Sequence, residues 1–401
     1  MTEAIALDAR RPAAGARLEQ SGLFALIGVA GALQFSIVVA QILLAIAAVC
    51  WVALLVVRSE RSEAPAFFWP LVVYAAATLA SAAWSGDPRT SLMDSKQLVL
   101  FLLVPITYRL ARGGNGSTLL TVVLSCAAVS AVFGIFQYGI LHYDNLGQRP
   151  QGTLGHWMTY SGVLMIVIGV ALARVLFGKG GRTWPALVIP ALAVAVALTF
   201  TRSAEVGVCA AAALLFSLKD FRLFAIVPVV AAVFFALAPA SVSQRFVSMF
   251  DRKDPTVSDR VTMLHIGERM IRAHPLIGVG PNMVQRLYVE YRGQDTLVGP
   301  DGVVHVNPHL HNNLLQIAAE RGLPALAIWL WFIVALVEDL WARFARGEHR
   351  AVAATALATV VSLLTAGLFE YNFGDSEVLM LFLIIVTLPA AAEAPGLSRA
   401  A

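Results

Sequence analysis

Apolar runs of about 15–26 residues recur along almost the whole 401-residue chain, and they restrict its fold more than any other feature. A bilayer core about 30 Å thick takes about 20 such residues per helix. Inside lipid every backbone N–H and C=O must pair within its own helix or a closed barrel. The runs fall at 22–37, 38–57, 67–84, 97–111, 117–141, 156–177, 184–201, 203–218, 221–239, 312–337, 351–369 and 376–392. They predict an all-α integral membrane protein with about twelve transmembrane helices, residues 22–57 forming either two helices or one bent helix. Composition agrees: 58% of residues are hydrophobic, 13% are charged and mean hydropathy is +0.75, whereas soluble domains carry about 25% charge.

Lysine and arginine positions predict the orientation, because short cytoplasmic loops collect them. With the N-terminus inside, inner segments hold 16 of the 29 Lys and Arg residues. The short outer loops hold only Arg89, Lys96, Arg149 and Arg202. Both termini are therefore expected in the cytoplasm. The predicted order is a tail over 1–20, helices over 21–239, one large extracytoplasmic loop over 240–311, helices over 312–392 and a tail over 393–401. Arg10, Arg11 and Arg17 precede the first run without a convincing cleavage site, so no removable signal peptide is expected. Cys50, Cys126 and Cys209 lie within apolar runs and read as packing residues. The pI near 9.1 reflects the loops rather than a nucleic-acid surface.

The 240–311 loop breaks the charge bias, carrying Arg245, Arg252, Lys253, Arg260, Arg269, Arg272, Arg286 and Arg292, with Arg321 just beyond it. Charge alone leaves two readings: long loops translocate regardless of charge, or the loop covers an anionic ligand. Within it, "SDRVTMLHIGERMIRAHPLIGVG" predicts an amphipathic helix. Ser258 or Asp259 caps it, Arg260 sits in its first turn, Met263, Ile266 and Met270 share a face, and Glu268 pairs with Arg272. His274-Pro275 and the glycines after it end the helix.

The next feature is "NPHLHNNLLQIAAERG", residues 307–322. Asn307 as cap and Pro308 at the first helical position would put His309 and His311 in the first turn of the tenth membrane helix. Unpaired N–H groups and the positive end of the helix dipole gather there, favouring anions and a neutral imidazole suited to general-base work. His305, His309 and His311 raise a metal reading. Two histidines two apart on one helix face are too close to share an ion, and no carboxylate cluster joins them in the sequence, so no metal is expected. The remaining alternative is that these histidines are polar interface residues without chemistry.

"LTFTRSAEVGV" puts Arg202 and Glu205 at the hinge between the seventh and eighth runs. Charges at membrane depth mark a site or satisfy each other. A site arginine would present a fork of donors suited to phosphate oxygens. "DNLGQRPQGTLGHWMTYSG", with Arg149, and "LFEYNFGDSEV" also fall on the outer face. No P-loop or kinase motif occurs, so no nucleotide is expected and any transfer needs a pre-activated donor.

Together, "SDRVTMLHIGERMIRAHPLIGVGPN", "HLHNNLLQIAAERGLPAL", "TRSAEVG" and "FEYNFGDSEV" resemble the O-antigen ligase and O-antigen polymerase superfamily, the ligases most of all. The resemblance implies a GT-C-like, metal-independent, inverting glycosyltransferase with no cofactor, in the bacterial inner membrane with its site facing the periplasm. Its donor would be a glycan on undecaprenyl diphosphate and its acceptor a sugar hydroxyl of lipid A–core. By motif, Arg202 and Arg260 look like diphosphate-binding residues and His311 like the catalytic histidine. His309, Asn312, Arg149 and Glu205 look like supporting residues. The glycine-rich loop reads "GTLGHWMTY" where Asn-Pro-Asn is frequent, so Gly155 and His156 receive no role. A polymerase and a protein O-oligosaccharyltransferase share the expected chemistry. A lipid-linked sugar flippase is the alternative of another class, although no internal repeat supports it.

Overall fold

The computed structural model describes residues 2–237, 255–293 and 306–394. Among these residues every regular element is a helix, with no strands. The chain starts in α1 (Thr2–Ala32), so the expected cytoplasmic tail is helical and continuous with the first apolar run. A turn and the Ser36 cap separate α1 from α2 (Ile37–Val57), which makes 22–57 two packed helices rather than one bent helix. Next come α3 (Phe68–Ala83) and α4 (Pro88–Asp94), then a 3-10 stretch (Ser95–Leu102) running into α5 (Leu103–Leu110). The run predicted as one span at 97–111 is thus a tightened helix that relaxes to α geometry only halfway. The following helices are α6 (Asn115–Gly139), α7 (Trp157–Phe177), α8 (Thr183–Leu198), α9 (Arg202–Lys219) and α10 (Ile226–Leu237). The segment between α10 and the next apolar run supplies α11 (Pro255–Ala273) and α12 (Val284–Tyr291). The chain closes with α13 (Asn313–Arg346), α14 (Arg350–Ala366) and α15 (Ser376–Glu393).

Among the described residues, five helices are long and apolar enough to cross a membrane: α2, α6, α7, α13 and α15. The helices α3, α8 and α14 are apolar but shorter. The chain is a multi-pass membrane protein. Its expected segments at 238–239, 240–254 and 294–305, with Arg245, Arg252, Lys253 and His305, lie outside the described residues, as does Arg399.

Lipid tails are as apolar as leucine, so helices in a bilayer associate through close packing, and small residues allow it. The α7–α9–α14 trio shows this: Gly207 of α9 lies against Met165, the Ser362 carbonyl and Ala366, and Gly169 of α7 faces Ala358 and Ala211. One end of the bundle is tied by ion pairs. Arg109, nearly buried, donates to both Glu60 oxygens at 2.7 and 3.0 Å and to Glu19 at 3.1 Å. At that end Arg343 bridges Asp339 and Glu393 (2.8 and 2.5 Å). These arginines, expected to be topogenic, have structural partners as well.

The opposite end gathers the remaining polar segments, and a break in α13 organises it. Gly322 has φ 83° and ψ 166°, a region open essentially to glycine, and Pro324 follows. Pro324 lacks the N–H that Glu320 O would otherwise receive. A strap over 275–282 fills the break. Val279 N donates to Ala319 O (2.9 Å), Gly280 N and Ser81 Oγ donate to Glu320 O (2.8 Å each), and Leu323 N donates to Pro275 O (2.8 Å). The Ala319 and Glu320 carbonyls and the Leu323 N–H are thus paired inside protein, as low-dielectric surroundings require. A second small core, Met263, Ile266, Met270, Met283, Val284, Tyr288 and Leu310, holds α11 and α12 over this end.

Candidate functional site

The predicted start of the tenth membrane helix is corrected by five residues. Residues 306–312 are not helical, and α13 starts at Asn313 with Asn312 as its cap, Oδ1 accepting from Leu315 N at 2.9 Å. Asn307, the expected cap, donates instead to both Asp259 oxygens at 3.1 and 3.2 Å. Two asparagines with the same capping chemistry were available, and tertiary contacts chose between them. His311 therefore precedes the helix, in left-handed conformation with φ 46°.

What holds the histidines is Glu370. The α14 helix ends at Ala366 and the chain turns through 367–375 before α15. Amides stitch this turn to the start of α13. Asn313 Nδ2 donates to Asn372 Oδ1 (2.7 Å), Phe373 N donates to Asn313 Oδ1 (3.1 Å) and Asn313 N donates to Gly367 O (2.7 Å). Glu370 is thereby carried onto both rings: His309 Nε2 lies 3.0 Å from Oε1 and His311 Nδ1 lies 2.9 Å from Oε2. Tyr371 N donates to Oε1 at 3.1 Å. Burial pushes the Glu370 carboxyl up, but hydrogen bonds from His309 and His311 outweigh it and hold the group well below the usual range. An ionised carboxylate only accepts, so each facing ring nitrogen carries its hydrogen. In a neutral His311 ring this arrangement leaves the lone pair on Nε2.

Beside this trio lies a cavity of about 270 Å³ whose lining includes His309, Glu370, His156, Asp94, Glu320 and Asp375. Burial raises both Asp94 and Asp375, with Arg321 and Lys96 opposing it at Asp94 and the Thr159 hydroxyl, 2.5 Å away, opposing it at Asp375. His311 joins the cavity through Glu370 rather than as a lining residue, and neither Arg202 nor Arg260 is in the lining.

Arg260 lies in the second turn of α11, not the first, because that helix starts at Pro255. It donates to the carbonyl of Phe369, the residue before Glu370, and its guanidinium stands 5.7 Å from the Phe369 ring centre. Arg202 and Glu205 occupy the first turn of α9 after the break at Phe200 (φ 54°). The contact of Gly207 with Ala366 places that turn toward the 367–375 segment. Arg149 lies 4.8 Å over the Trp157 ring, and Trp157 stacks on His156 at 4.9 Å. Asn312 is occupied with its cap and with Leu368 O (2.9 Å), a structural task.

Two residues that received no role from the sequence stand at this cavity. Glu370 stood in the quoted "LFEYNFGDSEV" motif, but nothing in the sequence paired it with histidines about 60 positions earlier. His156 lay in the loop that departs from the expected pattern. The metal reading also changes. His309 and His311 are not on a helix face, and a carboxylate does join them: His309, His311 and Glu370 offer donor atoms all within 4.8 Å of one another.

Residues 185–330 match the O-antigen ligase family. The match supports the O-antigen ligase and polymerase superfamily and, with it, a ligase- or polymerase-type, glycosyltransferase-like function. The matched segment spans the break before α9, the strap and the first half of α13, and so contains Arg202, Arg260 and His311. Arg149, His156 and Glu370 lie outside it. No curated protein matches the chain.

Proposed function

We propose that the protein is an O-antigen ligase that moves a glycan from undecaprenyl diphosphate to a sugar hydroxyl of lipid A–core at the periplasmic face of the inner membrane. The reading rests on one observation above all: His311, inside the matched segment, has Nδ1 2.9 Å from Glu370 Oε2, which in a neutral ring directs the lone pair to Nε2 for use as a base. In the proposed step the acceptor hydroxyl gives its proton to His311 Nε2 as its oxygen forms a bond to the anomeric carbon. The bond from that carbon to the diphosphate breaks, with inversion. Arg202 and Arg260 bind the diphosphate and neutralise the charge that grows on it, which is electrostatic stabilisation of the leaving group. His309 shares the carboxylate and fixes its orientation. The chemistry needs neither metal nor cofactor. About twelve spans in a GT-C-like arrangement, with both termini cytoplasmic, would hold the polyprenyl tail within the bilayer.

The test is an assay of purified protein with lipid-linked glycan and either lipid A–core or a second lipid-linked unit. Transfer to lipid A–core supports the ligase. Extension of the lipid-linked chain alone replaces that reading with a polymerase, and neither product in an otherwise folded preparation removes both.

A further inference from the structure

His309, His311 and Glu370 meet only in the folded chain, and together they form a metal-ion donor set: two imidazole nitrogens and one carboxylate within 4.8 Å of one another. Two nitrogens and an oxygen suit Zn²⁺. Mg²⁺ and Ca²⁺ prefer oxygen ligands throughout. Tetrahedral zinc bonds of about 2.0–2.2 Å put ligand atoms about 3.3–3.6 Å apart, so any pair at the 4.8 Å limit must draw in by about 1.2–1.5 Å. His309 and Glu370 face the cavity, which leaves room for a fourth ligand on that side.

We infer that this trio binds a zinc ion and that zinc occupancy switches transfer off. The switching half rests on the base role given to His311 above. In a neutral His311 ring, Glu370 at 2.9 Å from Nδ1 favours the tautomer with the hydrogen there and the lone pair on Nε2. Zinc at Nδ1 takes the electron pair there, and a neutral ring then carries its hydrogen on Nε2. The nitrogen that would receive the hydroxyl proton is already protonated. The same exchange occurs at His309, where zinc takes Nε2 and the hydrogen moves to Nδ1. Glu370 is the pivot, because it selects one tautomer without the ion and ligates the ion when it is present.

The experiment uses the full chain, purified in detergent and stripped with a chelator, then titrated with ZnCl₂ against a chromophoric competitor. MgCl₂ serves as the control, and Co²⁺ absorption reports the coordination. One zinc per chain is expected, with affinity at least about tenfold lower in Glu370→Gln and in His309→Gln. Equal zinc affinity in wild type and both variants overturns the site, as does binding of Mg²⁺ as tightly as Zn²⁺. Full-rate transfer with the site saturated overturns the switch. The base role is judged separately, by His311→Ala assayed without zinc, so a failure of the binding claim and a failure of the proposed function have different signatures.

Discussion

Glu370 gives the site its polarity. In the proposed step, a carboxylate between two imidazoles takes the task that the acid of a hydrolase triad has for its histidine: it selects which nitrogen bears the hydrogen. Glu370→Gln should lower transfer by about 10³–10⁴-fold, by analogy with an amide replacing such an acid. His311→Ala should lower it by about 10²–10⁴-fold. The double variant should be little worse than the more damaging single one, because the two act as a unit. Activity of His311→Ala at the wild-type level in an initial-rate assay would remove the base assignment. The lowered pKa of Glu370 has a consequence for stability. The sign for a depressed acid is that its contribution is complete above the unfolded value, about pH 4.3, and is lost as pH falls toward the folded value. The Tm difference between wild type and Glu370→Gln should be flat above about pH 5 and shrink below about pH 4.3. A difference that grows on acidification would contradict the assignment.

At the scale of elements, the broken α13 joins the membrane part to the strap. Gly322 tolerates φ 83° because it has no Cβ, and a Cβ there would collide with the Leu276 carbonyl oxygen. Gly322→Ala should destabilise by at least about 1–3 kcal/mol and expel the strap, which also carries Asn282, whose N–H donates to Glu320 Oε1 at 2.8 Å. Thermal unfolding in detergent measures this, and an unchanged Tm would show that the strap hydrogen bonds are dispensable. Gly207→Val acts differently. It should push α9 away from α14 at the Ser362 carbonyl, displace Arg202 and weaken donor binding more than it weakens folding. An unaltered affinity for lipid-linked donor would sink the idea that α9 positions Arg202.

For the whole molecule, the proposed topology sends the polar end outward and the Arg109 and Arg343 ion-pair end inward. Single cysteines, placed in a chain whose Cys50, Cys126 and Cys209 are replaced, test it with a membrane-impermeant thiol reagent. Cysteine at Arg286, exposed on α12, should label from outside in intact spheroplasts, and cysteine at Glu348, between α13 and α14, only after lysis. Labelling of both positions from the same side would refute the arrangement. EDTA should leave transfer intact or raise it, and inhibition reversed by one added divalent ion would make the trio a catalytic metal centre instead.

The sequence alone determined that the chain is helical and crosses a membrane repeatedly, because apolar length and charge bias act through the local surroundings of each segment. It also marked the polar stretches around Arg202, Arg260, His309, His311 and Glu370, since charges near lipid are costly enough to stand out singly. Tertiary structure decided which of them meet. Glu370 reaches His309 and His311 only through the turn after α14 and the asparagine contacts that fasten it to α13. The cap of α13 moved to Asn312 because Asn307 found Asp259, and the ladder broken at Gly322 is bridged by a strap about 40 residues earlier. Local pattern carries no information about such partners, because their pairing energy exists only once distant segments are folded against each other.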